Sequence, residues 1–327
     1  MNRPREPFRV GSLVAEPGTR SSGYCSVEID EEVLELPIVI VHGERPGPIL
    51  AVTAGVHGGE YVSMVALQDF VFDLDPTAIQ GTVIASLRCS PLAFFKRTAF
   101  VNPMDGENLN RAFPGDPNGG PTGRLAYWLW SNIISRGNYY VDCHSGDIPE
   151  VLDNYACISN VGTSDVNDAS LRMASQFDVP RVVLVDTKGT STTEASRAGI
   201  PSVLIEVGGE GKWSPSDVAV QREGLDRLVK ISGLLDEDSE ARTPLPPFKS
   251  QGVMCESSGL WFGHVLPGSP VEAGTLLGIV RDPFGAVLQE ARSPVPGVLI
   301  YGISSLAVNA GDLIASIATP VNVAEPH

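Results

Sequence analysis

Ile49-Leu50-Ala51-Val52-Thr53-Ala54-Gly55-Val56-His57-Gly58-Gly59-Glu60 is the stretch on which the fold turns. An apolar run of strand character gives way to glycines, and a histidine and a glutamate stand three residues apart at that transition. A neutral imidazole and a carboxylate placed so can converge on one small cation. Catalytic zinc usually takes three protein ligands and a water, so the pair asks for a third ligand. His144, in Asp142-Cys143-His144-Ser145-Gly146, offers one at the end of the run Tyr139-Tyr140-Val141. A lone His-x-x-Glu is a weak pattern, but open α/β sheets place their ligands beyond strand ends, and both histidines stand there. Glu206 closes a third such run, Ser202-Val203-Leu204-Ile205, where a charge is costly to bury unless it is paired or has a task.

Outward from these blocks, strands alternate with helical patterns. Residues 8–45 read as short strands with turns, and strands follow at 49–54, 82–87, 139–143, 181–185 and 202–205. Helical spacing is expected over 60–72, 124–135, 164–177, 190–198 and 217–235. This order predicts an α/β fold with a mostly parallel central sheet and helices on both faces. Residues 89–120, rich in Pro, Asn and Gly, form a long loop, and loops of that length usually carry function.

The acidic segment Asp236-Glu237-Asp238-Ser239-Glu240 and the prolines after it read as a linker. It divides a catalytic domain, 1–240, from a small all-β domain, 250–319, beside the active site. The glycine-punctuated cadence of the latter (Pro267-Gly268-Ser269-Pro270, later Val308-Asn309-Ala310-Gly311-Asp312) resembles the barrel-sandwich fold of biotinyl and lipoyl domains. A carrier role needs an exposed lysine, and residues 250–327 contain none, so the domain reads as structural.

The net charge of −16 disfavours nucleic acid and anionic membrane surfaces, since no basic patch is available to displace counterions. Five scattered cysteines without a C-x-x-C pair, no apolar signal core and no apolar run of about eighteen residues suit a cytoplasmic protein. Cys143 and His144, neighbours on a strand, point to opposite faces, which makes Cys143 a buried hydrophobe rather than a nucleophile. His42, His264 and His327 lack any partner pattern and read as loop or surface residues. Arg197 reads as a solvated helix charge.

Taken in order, Gly55-Val56-His57-Gly58-Gly59-Glu60, Asp105-Gly106-Glu107-Asn108-Leu109-Asn110-Arg111-Ala112-Phe113-Pro114-Gly115, Asp142-Cys143-His144-Ser145-Gly146 and Ile205-Glu206-Val207-Gly208 resemble the signature blocks of the succinylglutamate desuccinylase/aspartoacylase family, a branch of the zinc carboxypeptidase-like hydrolases. The resemblance implies a zinc-dependent amidohydrolase removing the acyl group of an N-acylated amino acid or related small amide. It places one Zn2+ per chain on His57, Glu60 and His144, and the general base on Glu206. Glu210 and Glu194 are weaker rivals for that base, because neither ends an apolar strand. Asn110 and Arg111 fall on the family's ligands for a substrate carboxylate; on their residue types alone, a loop-pinning pair is the competing reading. The family's arginine toward the carbonyl oxygen has Arg97 as its nearest candidate, although Ala99-Phe100-Val101 stands where an arginine is expected. Asp142 and Asp147 compete to orient a ligand imidazole. The expected partner is a small N-acyl amino acid, and a homo-oligomer is compatible with all of this. A metallocarboxypeptidase acting on peptides and a non-catalytic binding protein are the alternatives. A β domain crowding the cleft favours small substrates over peptides, and no ligand or base is lost as a non-catalytic protein would require.

Overall fold

The computed structural model describes residues 5–237 and 242–321. Residues 1–4, the Asp238-Ser239-Glu240 part of the linker and His327 lie outside them. The strand Arg45–Ala54 runs parallel between Gln80–Ser86 and Tyr139–His144, and Ser202–Glu206 lies parallel on the far side of the latter. The apolar run is continuous because both of its faces are covered. Leu50, Val52 and Ala54 pack under the helices Tyr61–Asp73 and Pro215–Ile231, whereas Ala51 faces the opposite layer with Leu125 and Leu129 of the helix Pro121–Asn132.

Two departures from the expected architecture matter. The sheet is mixed rather than mostly parallel. The four-residue strand Tyr155–Ile158 pairs antiparallel with Ser202–Glu206, and two 11-residue strands, Thr19–Ile29 and Glu32–His42, form a long antiparallel ribbon at one edge. Tyr-Ala-Cys-Ile is too short to register as a period, and the N-terminal region holds two short strands, Phe8–Val10 and Leu13–Ala15, as expected, but the rest of it is two long strands rather than several short ones. His42 is also corrected: it is buried, not at the surface, its ring bridging the Thr82 hydroxyl (2.9 Å) and the Glu6 carbonyl (3.1 Å).

The sheet does not stop at the linker. Pro247–Met254 pairs parallel with Val182–Leu184, then antiparallel with Leu313–Pro320, which in turn pairs with Gly297–Ile303. A second, four-stranded sheet packs on this extension, Trp261 and Val280 sharing a buried cluster with Ile314. Gly297–Ile303 also reaches back to pair with Glu150–Leu152.

The helix Tyr61–Asp73 is held by apolar contact alone at its centre, where Leu67 and Phe70 are fully buried. Phe70→Ala should therefore cost about 3–5 kcal/mol. A denaturation midpoint shifted by less than a third of that amount would show that the helix is not anchored there.

Candidate metal centre

Backbone register brings the three strand ends together. Glu206 lies directly opposite His144 in the parallel pair, and Ala54, the last residue before the glycine turn, lies opposite Cys143. Residues directly opposite share a face, so His144 and Glu206 look into one cavity while Cys143 and Ile205 turn into the core. The turn after Ala54 carries His57 back over the sheet. Gly59 is needed there, because a Cβ would strike the Asp147 carboxylate. Glu60 then stands immediately before the helix Tyr61–Asp73, where the positive end of the helix favours a carboxylate.

Donor atoms of His57, Glu60 and His144 lie within 4.8 Å of one another. His57 Nδ1 is 2.6 Å from Glu60 Oε1, and His144 Nδ1 is 2.9 Å from Glu60 Oε2. The outer nitrogens are turned to fixed groups. His57 Nε2 meets Asn108 Oδ1 at 3.1 Å, and that oxygen already accepts the Asn110 N–H at 2.7 Å, so it can only accept from the ring. His57 Nδ1 is then left as a lone pair facing a carboxylate, an arrangement that only a proton or a metal cation can bridge. His144 Nε2 lies 3.0 Å from Asp142 Oδ2, off the line of a hydrogen bond, and Glu60 Oε2 is buried without a hydrogen bond. Two imidazoles, one with its outer nitrogen fixed by Asn108 and the other with its outer nitrogen beside the Asp142 carboxylate, and one carboxylate with an unmatched oxygen are a donor set that fits a divalent ion such as zinc.

The same groups set the electrostatics. Burial works against the charged form of Glu60, but His144 and His57 hold its carboxyl down at about 2. Burial opposes protonation of the imidazoles, yet Glu60 raises both, with Asp142 adding to the effect at His144. Glu206 goes the other way. Burial pushes its carboxyl well above the usual carboxylate range, with Glu60, Glu150 and Asp142 reinforcing this against the pull of His144. Asp142 is itself held by the Thr53 hydroxyl (2.6 Å) and the Ser191 hydroxyl. Asp147, the other candidate for orienting a ring, instead accepts the backbone N–H of Phe100 at 2.8 Å.

A cavity of about 330 Å³ opens over these side chains. Asn110 and Arg111 line it. Asn110 Oδ1 accepts the Ser191 N–H (2.9 Å), which leaves its amide NH2 free to donate, and Arg111 spends one N–H on the Asn110 carbonyl (2.6 Å). Arg97 is not brought to this cavity. It ends the short helix Pro91–Lys96 in a left-handed conformation (φ 53°) and lines a separate hollow with Tyr61, Phe94 and Trp213. Glu210 pairs with Lys212 and Glu194 accepts the Gly189 N–H, so neither rival of Glu206 lines the cavity. Several wall residues escaped the sequence reading. Asn108 sits inside a block already singled out, two positions before Asn110. Glu150 and Tyr155 belong to short strands without a pattern, and Tyr301 comes from the C-terminal β region, as do Ser250, Ile300, Leu313 and Ser316.

The succinylglutamate desuccinylase/aspartoacylase catalytic domain model matches residues 46–232. The chain is 31% identical over 298 residues to the N-alpha-acetyl-L-2,4-diaminobutyric acid deacetylase of Halomonas elongata, covering 88% of this chain and 86% of that protein. Among solved structures, a succinylglutamate desuccinylase/aspartoacylase from Rhodobacter sphaeroides superposes with a TM-score of 0.84 at 25% identity, over 96% of this chain and all of that one. The product-bound ectoine utilization protein EutE (DoeB) from Ruegeria pomeroyi gives 0.83 at 23% identity, over 97% of this chain and 99% of its own, a likeness of fold.

The backbone of Gly189, at φ 85°, lies against the backbone of Arg111, leaving no room for a Cβ. Gly189→Ala should thus cost about 1–3 kcal/mol in strain and displace the Asn110-Arg111 loop. Unchanged thermal stability would show that the two segments are not in contact.

Proposed function

Given that this chain belongs to the succinylglutamate desuccinylase/aspartoacylase family, we propose that it is a zinc-dependent amidohydrolase that removes the acyl group from an N-acylated amino acid. The observation that carries the reading is the convergence of His57, Glu60 and His144 beside Glu206 on one cavity wall. One zinc ion held by those three residues would acidify water and polarise the scissile carbonyl. Asn108 keeps the His57 ring turned so that Nδ1 faces inward, and the Asp142 carboxylate lies beside the outer nitrogen of His144.

Glu206 takes the proton of the attacking water and returns it to the departing nitrogen. An amine leaves poorly unless protonated, and a carboxyl raised by burial holds that proton well enough to deliver it. Arg111 and the free amide of Asn110 hold the substrate carboxylate, the guanidinium through a planar two-bond fork. Arg97, outside the cavity, takes no part. The H. elongata relative, by its name a deacetylase of an amino acid, supports an acetyl group as the acyl part.

The limited cavity favours a small molecule over a peptide, since residues of the C-terminal region close one side of it. We read residues 1–240 as the catalytic unit and 250–319 as a structural unit of barrel-sandwich type whose additional task is to wall the site. Among the described residues no helix is long and apolar enough to cross a membrane, and the five cysteines are unpaired. With the net charge of −16, these features support a cytoplasmic enzyme whose partner is a small molecule and not nucleic acid or a membrane surface.

Elemental analysis of the purified, unchelated protein should find one zinc per chain, and His57→Ala should lose it. A wild-type protein that carries no zinc and takes up none on addition would end this reading. Glu206→Gln should keep the metal and the fold while turnover of an N-acetyl amino acid drops about 10²–10⁴-fold. Near wild-type turnover in that variant would move the base elsewhere.

A further inference from the structure

One face of the ribbon formed by Thr19–Ile29 and Glu32–His42 is built into the core, with Cys25, Val27, Leu34 and Leu36 buried. By the alternation of a strand, the other face carries Tyr24, Ser26, Val33 and Glu35 into water. Phe95 stands beside that face on the short helix Pro91–Lys96, and Trp213 shares a hollow with it. Tyr24 (62% exposed), Val33 (56%), Phe95 (69%) and Trp213 (58%) together make one apolar stretch of surface. Single exposed hydrophobics are ordinary, but large ones gathered in one place mark a contact surface.

Phe95 is a ridge between two hollows, since it and Arg88 line both. The first, of about 520 Å³, holds Arg88 and Arg97 among aromatic rings and has no acidic residue among its described lining. The second, of about 330 Å³, is walled by Tyr24, Val33, Glu32 and Glu35. Arg88 is fixed at the centre, its guanidinium carbon 4.1 Å from the Phe94 ring centroid and 5.1 Å from that of Phe95, with Nε buried and without a hydrogen bond. Among the described residues, none of Arg88, Arg97, Glu32 and Glu35 forms an ion pair.

The two sides of the ridge are thus opposite in charge, which makes the face complementary to itself. We propose that it joins two copies of this chain about a two-fold axis near Phe95, with Phe95 of each copy packed against the other and Arg97 of each facing Glu32 and Glu35 of the other. A two-fold contact brings every pairing twice, and here both occurrences match. The net charge of −16 repels two copies at long range; apolar burial and the two charge contacts offset it at this face. The ridge also stands behind the metal turn. The backbone of Ala93 and Phe94 lies against Gly58 and leaves no room for a Cβ there, and Tyr61, in the first hollow, follows Glu60 directly. The contact would therefore buttress that turn from its outer side, and it does not depend on the chemistry assigned to the cavity.

Sedimentation velocity of the full chain over a range of concentrations tests this. The wild type should be a dimer at micromolar concentration. Phe95→Asp changes a side chain that a single copy leaves mostly in water, so circular dichroism should stay that of the folded chain while the dimer weakens by about a hundredfold or more. Arg97→Glu alone, and Glu32→Arg/Glu35→Arg alone, should each weaken it by about tenfold or more, because like charges then meet on both sides of the axis. An equimolar mixture of those two variants should recover a heterodimer close to wild-type affinity, since opposite charges meet again at both contacts. Misfolded variants would not rescue each other in this way, so the mixture decides even where Phe95→Asp fails to fold. A wild type that stays monomeric at every concentration overturns the inference. So does an assembly that Phe95→Asp leaves intact, or a mixture no stronger than its components.

Discussion

The Glu60 carboxylate sits between two imidazoles at the first turn of a helix, almost wholly out of water. An ion in that position is tenable only with positive charge on more than one side, and here the helix end and the two rings (protonated, or sharing a cation) supply it. Each support depends on another element. The His57 ring is turned by Asn108 in the long loop, the His144 ring lies beside Asp142 on the central strand, and Asp142 is held in turn by Thr53 on one neighbour and Ser191 on a helix. The arrangement therefore exists only when sheet, loop and helices are assembled together. It is a property of the tertiary fold that a few residues make visible.

Those residues were legible because the backbone enforces their positions. A strand that ends in a histidine or a glutamate delivers that side chain to the sheet's edge, and the parallel register does the rest. His57, Glu60, His144 and Glu206 could be found from strand ends, and Asn110-Arg111 from the long loop. Arg97 could not be placed by the same logic. Six residues of helix precede it in a region without periodicity, and the left-handed cap that ends this helix turns the arginine away from the cavity.

What the sequence hid shares one cause: the information is non-local. Tyr155–Ile158 is strand because of its neighbours on both sides, and nothing in four residues announces that it runs opposite to Ser202–Glu206. Tyr301 reaches the cavity through a slip in the pairing of two strands well removed from the histidine blocks. Glu150 looks like any loop glutamate until the strand Gly297–Ile303 lies beside it.

The parallel pairing of Pro247–Met254 with Val182–Leu184 has a consequence for how the molecule can be divided. A chain ended at residue 237 would leave Val182–Leu184 as a naked sheet margin, with unpaired backbone amides and carbonyls beside apolar side chains that Ile300 and Ala318 now cover. Such a margin is a template for adding strands from other molecules. The part of the chain from Pro247 onward is thus a guard against self-association as much as a wall of the cavity, and changes that loosen it would show as clumping before they show as altered chemistry.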